Sequence, residues 1–173
     1  IQNFIVDFRY NGGGLISIAD LIGDLNALGR DPLDVYERMR FNTRKASNDT
    51  VHRFTPQGQS VDPVRIAFIT TGATASASEL VVNGMKPWTE VAIVGSDTYG
   101  KPVGQSAFDL TGCDLRMRLV TFKVTNADDE GDYYDGLAPT LPFACAASDD
   151  LTRDPWDSAE NSTAAALTWL GTG

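Results

Sequence analysis

Apolar residues along this chain gather in short runs set apart by glycine-rich or polar stretches. Residues 4–8 (FIVDF) form the first run and read as a central strand. NGGG follows at 11–14, after which Leu15, Ile18, Ala19, Ile22 and Leu25 recur at helical spacing, with Gly29 as a stop. Strand, glycine turn and helix make the start of a βα unit. Residues 30–62 are polar, with one strand near 35–41. VRIAFIT (64–70) is the second apolar strand, and a helix from about Ser76 is ended by Pro87. VAIV (91–94) is the third strand. Beyond the loop SDTYGKPVG, residues 105–110 and 115–124 read as a hairpin joined through Thr111-Gly112. The acidic stretch NADDEGDYYDG (126–136) reads as surface loop, and residues 139–154 as irregular. Asp157 with Glu160 makes a capping box for a closing helix through Leu170. Strands alternating with helices, then a late hairpin, predict an α/β fold of repeated ββα units in preference to a doubly wound sheet.

Composition narrows this picture. With 173 residues and 42% hydrophobic content, the chain holds one core, so residues 1–173 are expected to form a single domain. Its first residues already read as a buried strand with no cap before them, which predicts a piece of a longer protein. The net charge of -9 repels phosphate backbones and argues against nucleic acid as a partner. No apolar run is long enough to span a bilayer. Cys113 and Cys145 lie outside any CxxC pair, and one histidine cannot complete a zinc set with them, so neither a metal nor a cofactor is expected. Whether the two cysteines are bridged is open at this level.

The chemistry concentrates on a serine and a lysine. Ser76 falls at a helix start, where free N–H groups point outward and the helix dipole favours negative charge. There the N–H of Ala77 can face the oxyanion of an acyl-transfer intermediate. Serine is equally a common N-cap, and Ser78 falls on nearly the opposite helix face. A nucleophilic serine needs a base. The single histidine, His52, sits in a polar stretch with nothing to orient it. Lys101 follows Gly100 and precedes Pro102, which keeps it out of helical geometry. To accept a proton it must be held neutral, which apolar surroundings favour. Gln105 can orient a neutral amine without adding charge. Lys86 lies ten residues past Ser76 on the same helix, about 15 Å along its axis and out of reach. NGGG lacks the GK[ST] ending of a phosphate loop, but its glycines can expose a second oxyanion donor.

Four segments together carry a resemblance. DFRYNGGG (7–14), TASASE (74–79), TYGK (98–101) and GLAPT (136–140) resemble, in order and spacing, the DLRxNxGG, SASASE, TFGK and G-I-x-P-D elements of the tail-specific, or C-terminal processing, serine peptidases. The resemblance implies a fold similar to the Clp protease and crotonase superfamily. It implies a serine endopeptidase with Ser76 as nucleophile, Lys101 as general base, Gln105 as its support, and Ala77 and Gly13 as oxyanion donors. It further implies protein or peptide substrates, no cofactor, and export to a bacterial periplasm or cell envelope, and it is compatible with a homo-oligomer. This sequence departs from the pattern in reading KPVGQ for KGxVQ and Thr140 for the acid, and it contains no PDZ domain. The same fold also offers a non-catalytic ligand-binding module, against which both dyad residues argue. An acyl-CoA enzyme would need a basic patch that this acidic chain does not offer.

Overall fold

The computed structural model describes residues 2–171. Strands β1 (Asn3–Asp7), β4 (Arg65–Thr70), β5 (Glu90–Gly95) and β8 (Ala144–Ala146) form one sheet in the order β1-β4-β5-β8, with every neighbouring pair parallel. Parallel sheets are covered on both faces, so their strands carry apolar residues at every position rather than at alternate ones. β4 does this. Ile66 and Phe68 join the larger core beneath helices α1 (Ile16–Leu25) and α2 (Ala77–Met85). Ala67 and Ile69 face the other way, onto Ala166 and Leu170 of α3 (Asn161–Leu170). The second sheet is antiparallel, in the order β3-β2-β7-β6, from β2 (Val35–Phe41), β3 (Thr50–Arg53), β6 (Val103–Asp109) and β7 (Arg116–Thr125). The α/β class is what the patterning predicts.

One aromatic side chain sets the spacing between the first two helices. Tyr36 of β2 is fully buried, and its hydroxyl donates to the Ala19 carbonyl. A Cβ added at Gly23 of α1 would lie 2.5 Å from its ring, and one at Gly84 of α2 would lie 2.6 Å away. The ring therefore fits between the helices because both positions lack a side chain.

Next to it lies a group of acids. Asp24 accepts from the Thr55 N–H at 2.8 Å and lies 3.2 Å from His52 Nε2. Glu37, on the same strand as Tyr36, is 1% exposed, and its Oε2 has no hydrogen-bond partner among the described residues. Burial, helped by nearby Asp20, pushes the Glu37 carboxyl up to about 8.

Several boundaries differ from the sequence expectation. α1 ends at Leu25 rather than running to Gly29, with Asn26 as its C-cap. α3 starts three residues later than the Asp157–Glu160 pairing predicts: Glu160 is itself the N-cap and accepts from the Ser162 and Thr163 N–H groups. Asp157 instead closes its own turn on the Ala159 N–H. β3 and β8 form where the sequence shows only polar or irregular chain. Cys113 and Cys145 are free thiols.

Candidate active site

β4 ends at Thr70, and the small residues after it make a tight turn into α2. The Thr74 hydroxyl donates to the Phe8 carbonyl at 2.7 Å, and the Ala75 N–H donates to the Asn11 carbonyl at 3.1 Å. These bonds fasten the serine turn to the glycine turn that follows β1. At the end of the turn Ser76 takes φ 58° and ψ -118°, a backbone state that non-glycine residues rarely adopt and that costs on the order of 1–3 kcal/mol. Ser76 lines the cavity from this turn at the start of α2.

Glu79 is the residue that holds the turn. It is completely buried, and its carboxylate accepts three backbone N–H groups: Ser76 at 2.8 Å, Gly100 at 2.7 Å and Lys101 at 2.8 Å. One side chain thus joins the backbone of Ser76 to the backbone of Lys101 across 25 positions of sequence. Sequence reasoning passed over Glu79, although the S-x-x-E spacing from Ser76 is the pattern of a capping box and was a signal for it.

Ser76, Ala77, Gly13, Lys101 and Gln105 all line one cavity of about 500 Å³. Leu80, Val103, Phe122 and Val124 give it an apolar wall. Lys101 is half-buried there, and its amine makes no ion pair with a described residue. Lys86 points elsewhere and pairs with Glu130 at 2.8 Å. His52 lies on β3 against Asp24 and takes no part in lining the cavity. Gln105 stands on β6 with its side chain exposed.

The two N–H groups expected to face an oxyanion differ from each other. No described residue accepts from the Ala77 N–H, whereas the Gly13 N–H donates to Asn11 Oδ1 at 3.0 Å. Gly13 has φ +94°, and a Cβ there would lie 2.6 Å from the Ala75 carbonyl oxygen and 2.8 Å from the Ala77 nitrogen. Only glycine lets the turn approach the serine this closely.

Two further residues reach the cavity without having been expected there. Tyr133 comes from the acidic stretch read as surface loop; Asn126, Gly131 and Tyr133 of that stretch are buried. Burial raises the Tyr133 hydroxyl well above its ordinary range. Arg118 enters from β7. Among the described residues, no group of three His, Cys, Asp or Glu side chains is placed to hold a metal ion, and no helix is long and apolar enough to cross a membrane.

The sequence profile of Peptidase family S41 matches residues 1–142, which contain every residue of this cavity. The chain belongs to that family. Among curated relatives, it is 28% identical over 122 residues to a carboxy-terminal-processing protease of Bartonella bacilliformis, covering 70% of this chain and 26% of that one. A carboxyl-terminal-processing protease of Synechocystis is 26% identical over 129 residues, covering 74% of this chain and 28% of the relative. The chain thus spans about a quarter of the length of these relatives. Solved structures agree in fold. A putative S41 protease from Bacteroides fragilis superposes with a TM-score of 0.87 at 24% identity, over 100% of this chain and 46% of the other. The photosystem II D1 C-terminal processing protease gives 0.60 at 18% identity, over 84% of this chain and 35% of that one.

Proposed function

We propose that this chain is the catalytic core of a serine endopeptidase of the C-terminal processing kind, working through a Ser76–Lys101 dyad. The observation that carries the reading is the Glu79 carboxylate, which binds the backbone of both residues at once. Ser76 Oγ attacks the scissile carbonyl carbon while Lys101 Nζ takes the hydroxyl proton. The carbonyl oxygen gains negative charge and is held by the Ala77 N–H, joined by that of Gly13 once Asn11 releases it. The C–N bond then breaks, the lysine returns its proton to the leaving amine, and an acyl-enzyme remains. Water, deprotonated by the same lysine, attacks the ester and frees Ser76. Gln105 orients the amine. The substrates are proteins or peptides, no cofactor enters the reaction, and the whole protein acts outside the cytoplasm in a bacterial envelope.

The test uses the full-length protein. Ser76→Ala and Lys101→Ala should each lower cleavage of an unfolded protein by roughly 10²–10⁴-fold or more, and a fluorophosphonate should label Ser76 in the parent alone. His52→Ala should keep its activity. Activity that survives Ser76→Ala, or a parent that carries a tightly held ligand and takes no label, would overturn this reading.

A further inference from the structure

The cavity beside Ser76 contains no carboxylate. Its charged lining groups are Lys101 and Arg118. If Lys101 is to act as a base it must be neutral, so Arg118 is left as the fixed positive charge of the site. Its neighbour Arg116 is already committed to Asp109, at 2.6 Å. The Arg118 guanidinium makes no ion pair or hydrogen bond with any described residue, in a chain whose acids outnumber its bases by nine. An arginine in such a chain, left unpaired on the wall of a cavity, is a fork of donors suited to a planar anion.

Arg118 is an exposed residue, and strand register sets the face from which it lines the cavity. β7 carries a bulge between Val120 and Phe122 that flips the alternation, so Arg118 shares its face with Val120 and with Gln105, which lines the cavity, and not with Phe122. On β6, Gln105 pairs with Val120 and Ala107 pairs with Arg118. Ala107 is the residue directly opposite, and its small size leaves the guanidinium room to swing. The Val124 N–H donates to the Pro102 carbonyl at 2.8 Å, which marks the Lys101 end of the strand. Arg118 stands six residues away along β7, about 20 Å at the usual rise.

We infer that Arg118 is a specificity-determining residue that binds a substrate carboxylate, held roughly four to six residues from the cleaved bond given an extended peptide and the reach of the side chain. This rests on the peptidase reading for its meaning in catalysis, though the binding itself does not. The carboxylate is either the free end of the peptide or an acidic side chain, since both present the same planar pair of oxygens.

Binding is measured first, with the full-length protein carrying Ser76→Ala, so that no chemistry is needed. The probes are fluorescein-labelled alanine peptides of three to eight residues in three forms: C-terminal acid, C-terminal amide, and amide with one glutamate replacing an alanine. The expected result is that an anionic form binds about tenfold tighter than the neutral amide, and that adding Arg118→Gln brings the forms level. Preference for the acid assigns the peptide end, and preference for the glutamate amide assigns a side chain. Equal binding of all three forms, or a preference that survives Arg118→Gln, would overturn the inference. Fluorophosphonate labelling of the parent and of Arg118→Gln separates this outcome from the peptidase reading. A labelled Ser76 without charge preference sinks the carboxylate site alone; Arg118-dependent binding without labelling sinks the peptidase reading alone.

Discussion

Two buried glutamates divide this molecule. Glu79 and Glu37 are 0% and 1% exposed, yet their surroundings are opposite. Glu79 accepts three backbone N–H groups and stands behind the cavity. Glu37 lies under α1 with one oxygen lacking a partner, and is pushed up to about 8 by burial. A carboxylate surrounded by donors fixes the atoms that supply them, whereas one without donors keeps its proton and fixes little. Burial alone therefore says nothing about which acid serves the site. The identity of the donors does, because in Glu79 they belong to the serine and to the lysine.

The comparison breaks first if Glu79 proves dispensable. Glu79→Ala leaves three N–H groups without an acceptor and opens a cavity, so a loss on the order of 3–5 kcal/mol in urea unfolding is expected. Activity should fall with it. Glu79→Gln is the sharper variant: its amide has one acceptor oxygen, so stability should drop less while turnover still falls.

Gly13→Ala comes next. A methyl group at φ +94°, 2.6 Å from the Ala75 oxygen, forces the glycine turn away from the serine. A displacement of about 1 Å costs roughly 100-fold in rate, which steady-state kinetics with unchanged substrate would read. Gly14→Ala is its control, since a Cβ there meets nothing within 4 Å. It should change stability by less than about 0.5 kcal/mol.

Glu37 gives the intermediate effect, through pH. Its folded-state value of about 8 lies above the ordinary 4.5, so the native state holds a proton that the unfolded chain gives up. The associated stability is fully present below about 4.5, declines as pH rises, and is gone above about 8. Melting temperature should therefore fall between pH 5 and pH 8. Glu37→Gln should flatten that decline, which is on the order of a few kcal/mol at most. A decline unchanged in the variant would remove Glu37 as its source.

Much of this arrangement was legible in the sequence because it rests on local chemistry. The run at 91–94 is apolar at every position and that at 64–70 at all but Arg65 and Thr70, as strands buried on both faces are, and both became central strands of the parallel sheet. Pro87 ended α2 as expected. Ser76, Lys101, Gln105, Ala77 and Gly13 share one cavity, although their roles in chemistry are proposals. The remainder depends on partners far along the chain. β3 is an edge strand with no buried residue, and β8 has three residues that become a strand only by pairing with β5. The acidic stretch at 126–136 hid Tyr133, because its charge describes the outward side chains and says nothing of the aromatic between them. Arg118 had no motif to mark it. Only the register of the hairpin reveals which way it faces.

Tyr36 has one further consequence. The glycine turn runs into α1 and the serine turn into α2, so the separation of Gly13 from Ser76 is metered by the width of a single phenol ring that does not line the cavity. Any gain of bulk at Gly23 or Gly84 would be transmitted to the two turns as a change of gauge. Those three positions must vary together or not at all, while the wall carrying Arg118 lies outside that constraint.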